Sequence, residues 1–205
     1  LAHVDTLCLD KTGTITDGNL KVRAVIPLGE TVRETADPMV RAYMAACDDN
    51  NATFQALKQE FPEEAVYAPV QKISFSSKRK WGCVSFREAG TIFVGAPERI
   101  LGQLPRHLEK EMEEGHRLVV IGHLNGAWED DEHLPAGIRP LYAVVLEDTI
   151  RPNAEEALEF FRQEGVDVKV ISGDHVTTVS RIAKRAGLQR WNEAIDLSTV
   201  GEGVD

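Results

Sequence analysis

The stretch Asp10-Lys11-Thr12-Gly13-Thr14 follows a short run of strand character, Val4 to Leu9, and forms a polar, glycine-containing loop at its carboxyl end. Ligand sites of open α/β sheets lie at such ends. A carboxylate held there, beside backbone N–H groups and a lysine, is placed to attack a phosphorus centre. Mg2+ must neutralise the approaching phosphate oxygens, since the anions otherwise repel at short range. Asp10 is therefore the candidate nucleophile. Thr12 stands two residues on, and its hydroxyl cannot transfer protons near neutral pH. A phosphoryl-aspartate at Asp10 is thus expected to hydrolyse slowly and persist.

The far end of the chain carries a matching pattern. Tyr142 to Leu146 is an apolar strand candidate, followed by Glu147-Asp148-Thr149-Ile150-Arg151-Pro152. A helix is expected next, with Pro152 near its first turn, Ala154, Ala157, Leu158 and Phe161 along one face, and Gly165 just past its end. Val166, Val168 and Val170 then alternate with Asp167 and Lys169, running through Ile171 into the tight polar loop Ser172-Gly173-Asp174. A further helix places Val176, Val179, Ala183 and Ala186 on one face and stops at Gly187. Strand, helix, strand, helix predicts an α/β fold with one doubly wound parallel sheet. Its strand ends would bring Asp10, Asp148 and Asp174 to a common rim despite their distance in sequence.

Between the ends, from Asn19 to Arg139, the pattern changes. Val40, Tyr43, Met44 and Cys47 mark an amphipathic helix, while Ile73 to Phe75, Trp81 to Phe86 and Thr91 to Gly95 read as strands. Gly90 marks a turn, and Asn125-Gly126 reads as a hairpin turn between Arg117–Leu124 and Ala127-Trp128. An α+β insert containing an antiparallel sheet is expected, and Gly201 to Asp205 reads as a frayed end.

Composition sets the outer limits. The chain has 205 residues, 42% hydrophobic and 27% charged, which is a globular balance. Its 23 Lys+Arg against 33 Asp+Glu leave a net charge of −10, arguing against nucleic acid as a partner and against docking on an anionic membrane surface. Cys8, Cys47 and Cys83 form no CxxC pair, so neither a disulfide framework nor a zinc knuckle is indicated and a reducing compartment is expected. No apolar run approaches the roughly 18 residues of a membrane span. Leu1-Ala2-His3-Val4 reads as neither a signal peptide nor a natural start, and an excised fragment is expected.

Asp10-Lys11-Thr12-Gly13-Thr14-Ile15-Thr16 resembles the phosphorylation signature of P-type cation-transporting ATPases, members of the haloacid dehalogenase-like superfamily. Further stretches resemble that family in the same order. Phe75-Ser76-Ser77-Lys78-Arg79-Lys80 is similar to its nucleotide-pocket segment, Gly95-Ala96-Pro97-Glu98 to the tail of Lys-Gly-Ala-Pro-Glu, and Gly115-His116-Arg117 to Gly-x-Arg. Asp148-Thr149-Ile150-Arg151-Pro152 resembles the Asp-Pro-Pro-Arg region and Ser172-Gly173-Asp174 the Thr-Gly-Asp loop. Val168 to His175, with Thr177, Val179 and Ser180, looks most like a bacterial branch associated with divalent ions, calcium above all.

The resemblance implies a Rossmannoid phosphorylation domain split between residues 1–18 and 140–205, the second part truncated, with a nucleotide-binding domain inserted at 19–139. It implies ATP and Mg2+ as cofactors, with Asp10 and Thr12 at the metal. Phe75 would stack on adenine, Lys80, Gly95 and Ala96 would shape the pocket, and Arg117 would reach the phosphates. An aromatic face beside cations at Lys78 to Lys80 independently suits a purine triphosphate. Ser172 and Gly173 would meet the terminal phosphate, with Asp174 positioning them, and Asp148 with Arg151 would brace the site.

The implied partners are transmembrane and actuator domains of the same parent chain, at the cytoplasmic face of a membrane, with the transported cation bound outside this fragment. The isolated fragment would be inactive or weakly active. The family's motif lysine is replaced by Val94, Ser77 stands where Arg is frequent, and Phe54 follows Thr53 where Glu is usual. The family's Gly-Asp-Gly-x-Asn-Asp loop is absent, with a faint echo in Gly201 to Asp205.

Other readings compete. A soluble phosphatase of the same superfamily with a cap domain would carry a second Asp at the position of Thr12. A non-catalytic nucleotide-binding module would use the insert alone. Taken singly, Phe75 is a core aromatic, Lys78 to Lys80 a solvated turn, Asp148 and Asp174 helix caps, and Glu109 to Glu114 a solvated helix face.

Overall fold

The computed structural model describes residues 4–174 and 176–196. The chain divides into two compact units. One comprises the described residues of Leu1–Asn19, Glu113–His116 and Asp148–Asp205, the other Leu20–Met112 and Arg117–Glu147. The division falls between Glu147 and Asp148, inside a strand.

In chain order the elements are β1 (Thr6–Asp10), β2 (Thr16–Pro27), α1 (Arg33–Ala46), α2 (Ala52–Glu60), β3 (Pro69–Ser76), β4 (Trp81–Phe86) and β5 (Gly90–Gly95). They continue with α3 (Pro97–Ile100), α4 (Arg106–Glu113), β6 (Arg117–Leu124), β7 (Arg139–Ile150), α5 (Ala154–Gln163), β8 (Asp167–Ile171) and α6 (Val176–Arg185). Among the described residues no helix is long and apolar enough to cross a membrane.

The first unit is built on β1 and β8, paired in parallel with Thr6 opposite Asp167 and Asp10 opposite Ile171. Parallel pairing needs a crossover, and α5 packs on β8 as part of it. The apolar face of α5 buries Ala154 and Leu158 against Ile182 and Ala186 of the α6 segment and against Ile15, with Leu9, Val168 and Val170 packed alongside. Of the predicted faces, Ala154 and Leu158 of α5 and Ala186 after α6 enter this core, joined by Ile182, whereas Ala157 is exposed.

The second unit is a six-stranded sheet in the order β2-β7-β6-β5-β4-β3. The pairs from β3 to β7 are antiparallel. Alternate residues enter separate cores. Val84, Ile92, Val94, Ile121 and Tyr142 face α1 and α2, packing on Val40, Tyr43 and Phe54. Trp81, Cys83, Phe93 and Val120 face the other way, with Ile100 of α3 and Leu108 of α4. Being covered on both faces explains why β4 is buried along its whole length and reads as a continuous apolar run. Leu141 and Tyr142 both enter the first core because the β6–β7 register shifts between Ile121 and Gly122, as a bulge does.

Two expectations are corrected. Among the described residues the parallel sheet contains β1 and β8, while the Tyr142–Leu146 segment lies in β7 of the antiparallel sheet. Its side chains alternate between two apolar cores, which that sheet supplies. The second concerns Ala127-Trp128, which is no strand. The Trp128 N–H donates to Ser85 Oγ at 3.0 Å and its indole N–H to His133 O at 3.2 Å, so β6 finds its antiparallel partner in β7 beyond a longer loop.

Candidate functional site

The loop after β1 is fixed by its backbone. Lys11 N–H donates to Ile171 O at 3.1 Å, and Lys11 O accepts from Ile15 N–H at 3.1 Å and Thr16 N–H at 3.0 Å. Gly13 turns the chain at φ 81°, a left-handed conformation that costs an L side chain about 1–2 kcal/mol. Ile15, buried in the core, anchors the far side. Arg151 closes the loop from another segment: its guanidinium donates to Gly13 O at 2.6 Å and its N–H to Ile15 O at 2.9 Å.

Side chains alternate in and out along this turn. Asp10 is exposed at the end of β1, opposite Ile171 and hence beside the strand that leads directly to Ser172. Lys11 is 1% exposed, with Nζ 2.8 Å from Asp174 Oδ2 and 3.6 Å from Asp148 Oδ1. Those contacts are ion pairs rather than aligned hydrogen bonds. Asp148 is itself buried. The Asp174 N–H donates to Ser172 Oγ at 3.1 Å, shaping the loop, and around Gly173 the space a Cβ would take is open. Thr12 is exposed and forms an isolated bridge with Thr16.

The first unit therefore gathers Asp148, Asp174 and Lys11 at the end of the ladder that carries Asp10, with Ser172, Gly173 and Arg151 on the adjoining loops. Mg2+ takes few carboxylates and keeps several waters. An exposed Asp10, without an ion-pair partner among the described residues, is a donor of that type, with Thr12 oxygens close in sequence. The donor set fits a partly hydrated ion.

The second unit brings most of the other candidates together. Phe75 is half-buried and meets Phe54 edge-on at 6.2 Å, which in turn stacks on Tyr43 at 6.4 Å. Both Phe54 and Tyr43 are buried, so Phe75 is the solvent-reaching end of an aromatic row. Lys80, at φ 62°, closes the β3–β4 turn. Its carbonyl accepts from Ala96 N–H at 2.8 Å, and its Nζ donates to Glu98 Oε1 at 3.0 Å. Gly95 permits this corner, since a Cβ there would come within 2.8 Å of Trp81 Cβ and 2.9 Å of Lys80 O.

Burial tends to raise the Glu98 carboxyl pKa, but a bond from its own backbone N–H and the ammonium of Lys80 outweigh it, and the net shift is downward. Arg117, exposed at the start of β6, stands apart from this corner. Val120 is the β6 partner of Gly95, so Arg117 begins about 10 Å further along the strand. Val94 is buried in the core.

Lys11 was not among the sequence candidates for binding or catalysis. A lysine in a polar loop reads as solvated, and nothing in its neighbours' identities marks it as buried. His175 and Gly201 to Asp205 lie outside the described residues.

A family model for haloacid dehalogenase-like hydrolases matches residues 4–203. The chain belongs to that family. Within it, the resemblance to P-type cation-transporting ATPases extends along nearly the whole chain. This haloacid dehalogenase-like chain is 39% identical over 202 residues to the probable cation-transporting ATPase exp7 of Streptococcus pneumoniae, covering 98% of the chain and 26% of that protein. It is 35% identical over 207 residues to the calcium-transporting ATPase CtpE of Mycobacterium bovis, covering 99% of the chain and 26% of the relative. It thus spans about a quarter of the length of these relatives. Its fold is shared with the crystal structure of a zinc-transporting PIB-type ATPase in the E2.Pi state, at TM-score 0.64 and 20% identity, over 90% of this chain and 28% of that one.

Proposed function

We propose that this chain is the catalytic portion, on the cytoplasmic face, of an ATP-driven cation pump that forms an aspartyl-phosphate at Asp10. The unit containing Asp10 and the Ser172 loop would be the body of a phosphorylation domain drawn from residues 1–18 and 140–205, of which residues 140–147 pair within the sheet of the second unit. Residues 19–139 would form the nucleotide-binding domain. Transmembrane and actuator segments of a longer parent would complete the pump, with the cation bound outside this chain. The calcium-transporting relatives and the sequence from Val168 onward favour a divalent cation, calcium first.

In this reading an Asp10 carboxylate oxygen bonds to the γ-phosphorus of ATP as the bond to the β,γ-bridging oxygen breaks and ADP leaves. Mg2+, when bound, neutralises charge on the transferring phosphoryl group. Ser172 and the Gly173 backbone hold the phosphoryl oxygens beside Asp10, while Arg151 fixes the Gly13 carbonyl and with it the loop. Thr12 offers no carboxylate to activate water, so the intermediate outlasts its formation. Phe75 stacks on the base, Lys80, Gly95 and Ala96 line its pocket, and Arg117 meets the phosphates.

The single observation supporting this reading is the exposed carboxylate of Asp10, without an ion-pair partner among the described residues and in register beside the strand that leads into Ser172. The test is labelling of the membrane-embedded parent with γ-labelled ATP. An acid-stable, hydroxylamine-labile label that disappears in Asp10→Asn is expected. Equal labelling of the variant removes Asp10 from the mechanism.

A further inference from the structure

We propose that Lys11 is a positioning residue, the built-in counter-ion that withholds Asp148 and Asp174 from divalent cations and leaves Asp10 as the acid available to them. The inference rests on the reading of Asp10 as phosphoryl acceptor and assigns the neighbouring residue a role of its own.

A lysine ammonium at 1% exposure is unfavourable unless opposite charge surrounds it. Asp174 at 2.8 Å and Asp148 at 3.6 Å supply that charge. The backbone that carries the side chain is fixed, because the Lys11 N–H is bonded to Ile171 O and its carbonyl to the amides of Ile15 and Thr16. Successive side chains at a strand end point to opposite faces, so the ladder that directs Asp10 outward directs Lys11 inward.

Without the ammonium, Asp148 and Asp174 would form a pair of acids both within reach of one point. Affinity of an oxygen-donor site for a divalent ion rises with ligand charge, so such a pair would compete with Asp10 for the ion. Lys11 removes the competitor by filling it.

The test titrates the 205-residue chain with Mn2+, reading free ion by electron paramagnetic resonance, in an Asp10→Asn background that removes Asp10's own contribution. Lys11→Met is expected to bind Mn2+ about tenfold more tightly than Asp10→Asn alone, as ligand charge sets affinity. Adding Asp148→Asn should abolish the gain, and Lys11→Arg should show none. Unchanged binding in a Lys11→Met protein that keeps its near-ultraviolet circular dichroism overturns the proposal. Should Lys11→Met not fold, Lys11→Gln in the same Asp10→Asn background carries the same test, and Mn2+ affinity equal to that of Asp10→Asn alone overturns the assignment. No step uses ATP, so absence of aspartyl-phosphate labelling leaves this result separately decided.

Discussion

Arg151 donates from its guanidinium to the carbonyl of Gly13 at 2.6 Å, joining residues 138 positions apart. The bond is exposed, so its removal by Arg151→Ala should cost only about 0.5–1 kcal/mol. Its local effect should be larger: amide hydrogen exchange at Ile15 and Thr16, whose N–H groups close the loop onto Lys11 O, should quicken. Unchanged exchange there would mean that the loop holds its shape without the guanidinium.

Gly13 and Gly95 should respond differently to the same added methyl group. Around Gly13 a Cβ meets nothing within 4 Å, and the cost of Gly13→Ala is the left-handed backbone alone, about 1 kcal/mol. At Gly95 the Cβ strikes Trp81 Cβ and Lys80 O, so Gly95→Ala must push β5 from the β4 corner, at about 2–3 kcal/mol. Urea denaturation of each variant gives the comparison. An equal loss would show that the corner yields easily.

Phe75→Ala should weaken binding of an ATP analogue to the isolated chain by about tenfold, the scale of a lost aromatic stack on a base. The side chain is the outer end of the Tyr43–Phe54–Phe75 row, so its truncation removes a stacking face while leaving the buried rings packed. Isothermal titration of variant and parent sequence decides it, and equal affinity excludes Phe75 as the base platform.

The thiols divide by burial. Cys8 is exposed whereas Cys47 and Cys83 are buried. Burial, reinforced by a bond to Asp49, pushes Cys47 up to about 11, and burial pushes Cys83 up to about 12. Both values lie above the ordinary 9.0. The folded state therefore holds these thiols neutral while the unfolded chain releases their protons. Their contribution to stability is complete below pH 9 and declines as pH rises towards 11 and 12. The urea midpoint should fall between pH 8.5 and about 11, less steeply in Cys83→Ala, and iodoacetamide should modify Cys8 first at pH 8. A midpoint flat across that range would contradict the assignment.

Tyr142 is fully buried and its hydroxyl donates to Asp37 Oδ1 at 2.6 Å. Burial, with the nearby Asp37 carboxylate, drives the phenol well above its usual range. Tyr142→Phe keeps the ring and its stack on Phe61 but strands Asp37, at about 1–2 kcal/mol. Thermal melting should show a decrease of about 2–6 °C.

Much of the fold was legible because its elements bury one repeating face. The alternation at Val168 and Val170 and the helical spacing of Ala154 and Leu158 each follow from one shared core. The failures are equally physical. Tyr142 to Leu146 is apolar on both faces, and periodicity cannot tell a parallel strand between helices from an antiparallel strand between two cores. Asn125-Gly126 carries a turn signal, but the course of the chain beyond that turn is decided by Trp128 bonding to Ser85, a contact across 43 residues. Leu20 and Val22 alternate with Lys21 and Arg23 within β2 and could have been read as a strand. In the candidate site, residue types marked Asp10, Asp148 and Asp174. The lysine between them was not legible, because burial of a charged side chain is a property of the assembled turn.

The pairing of Thr6 to Asp10 with Asp167 to Ile171 has an outcome for how this chain can vary. One residue gained or lost within β1 would slide its downstream half by about 3.3 Å and turn Asp10 to the opposite side of the ribbon, and the same change within β8 would do so to Ile171 and the loop after it. Insertions and deletions should therefore be tolerated in the long connection that carries Trp128 and rejected within these five-residue stretches, where spacing as well as chemistry is specified.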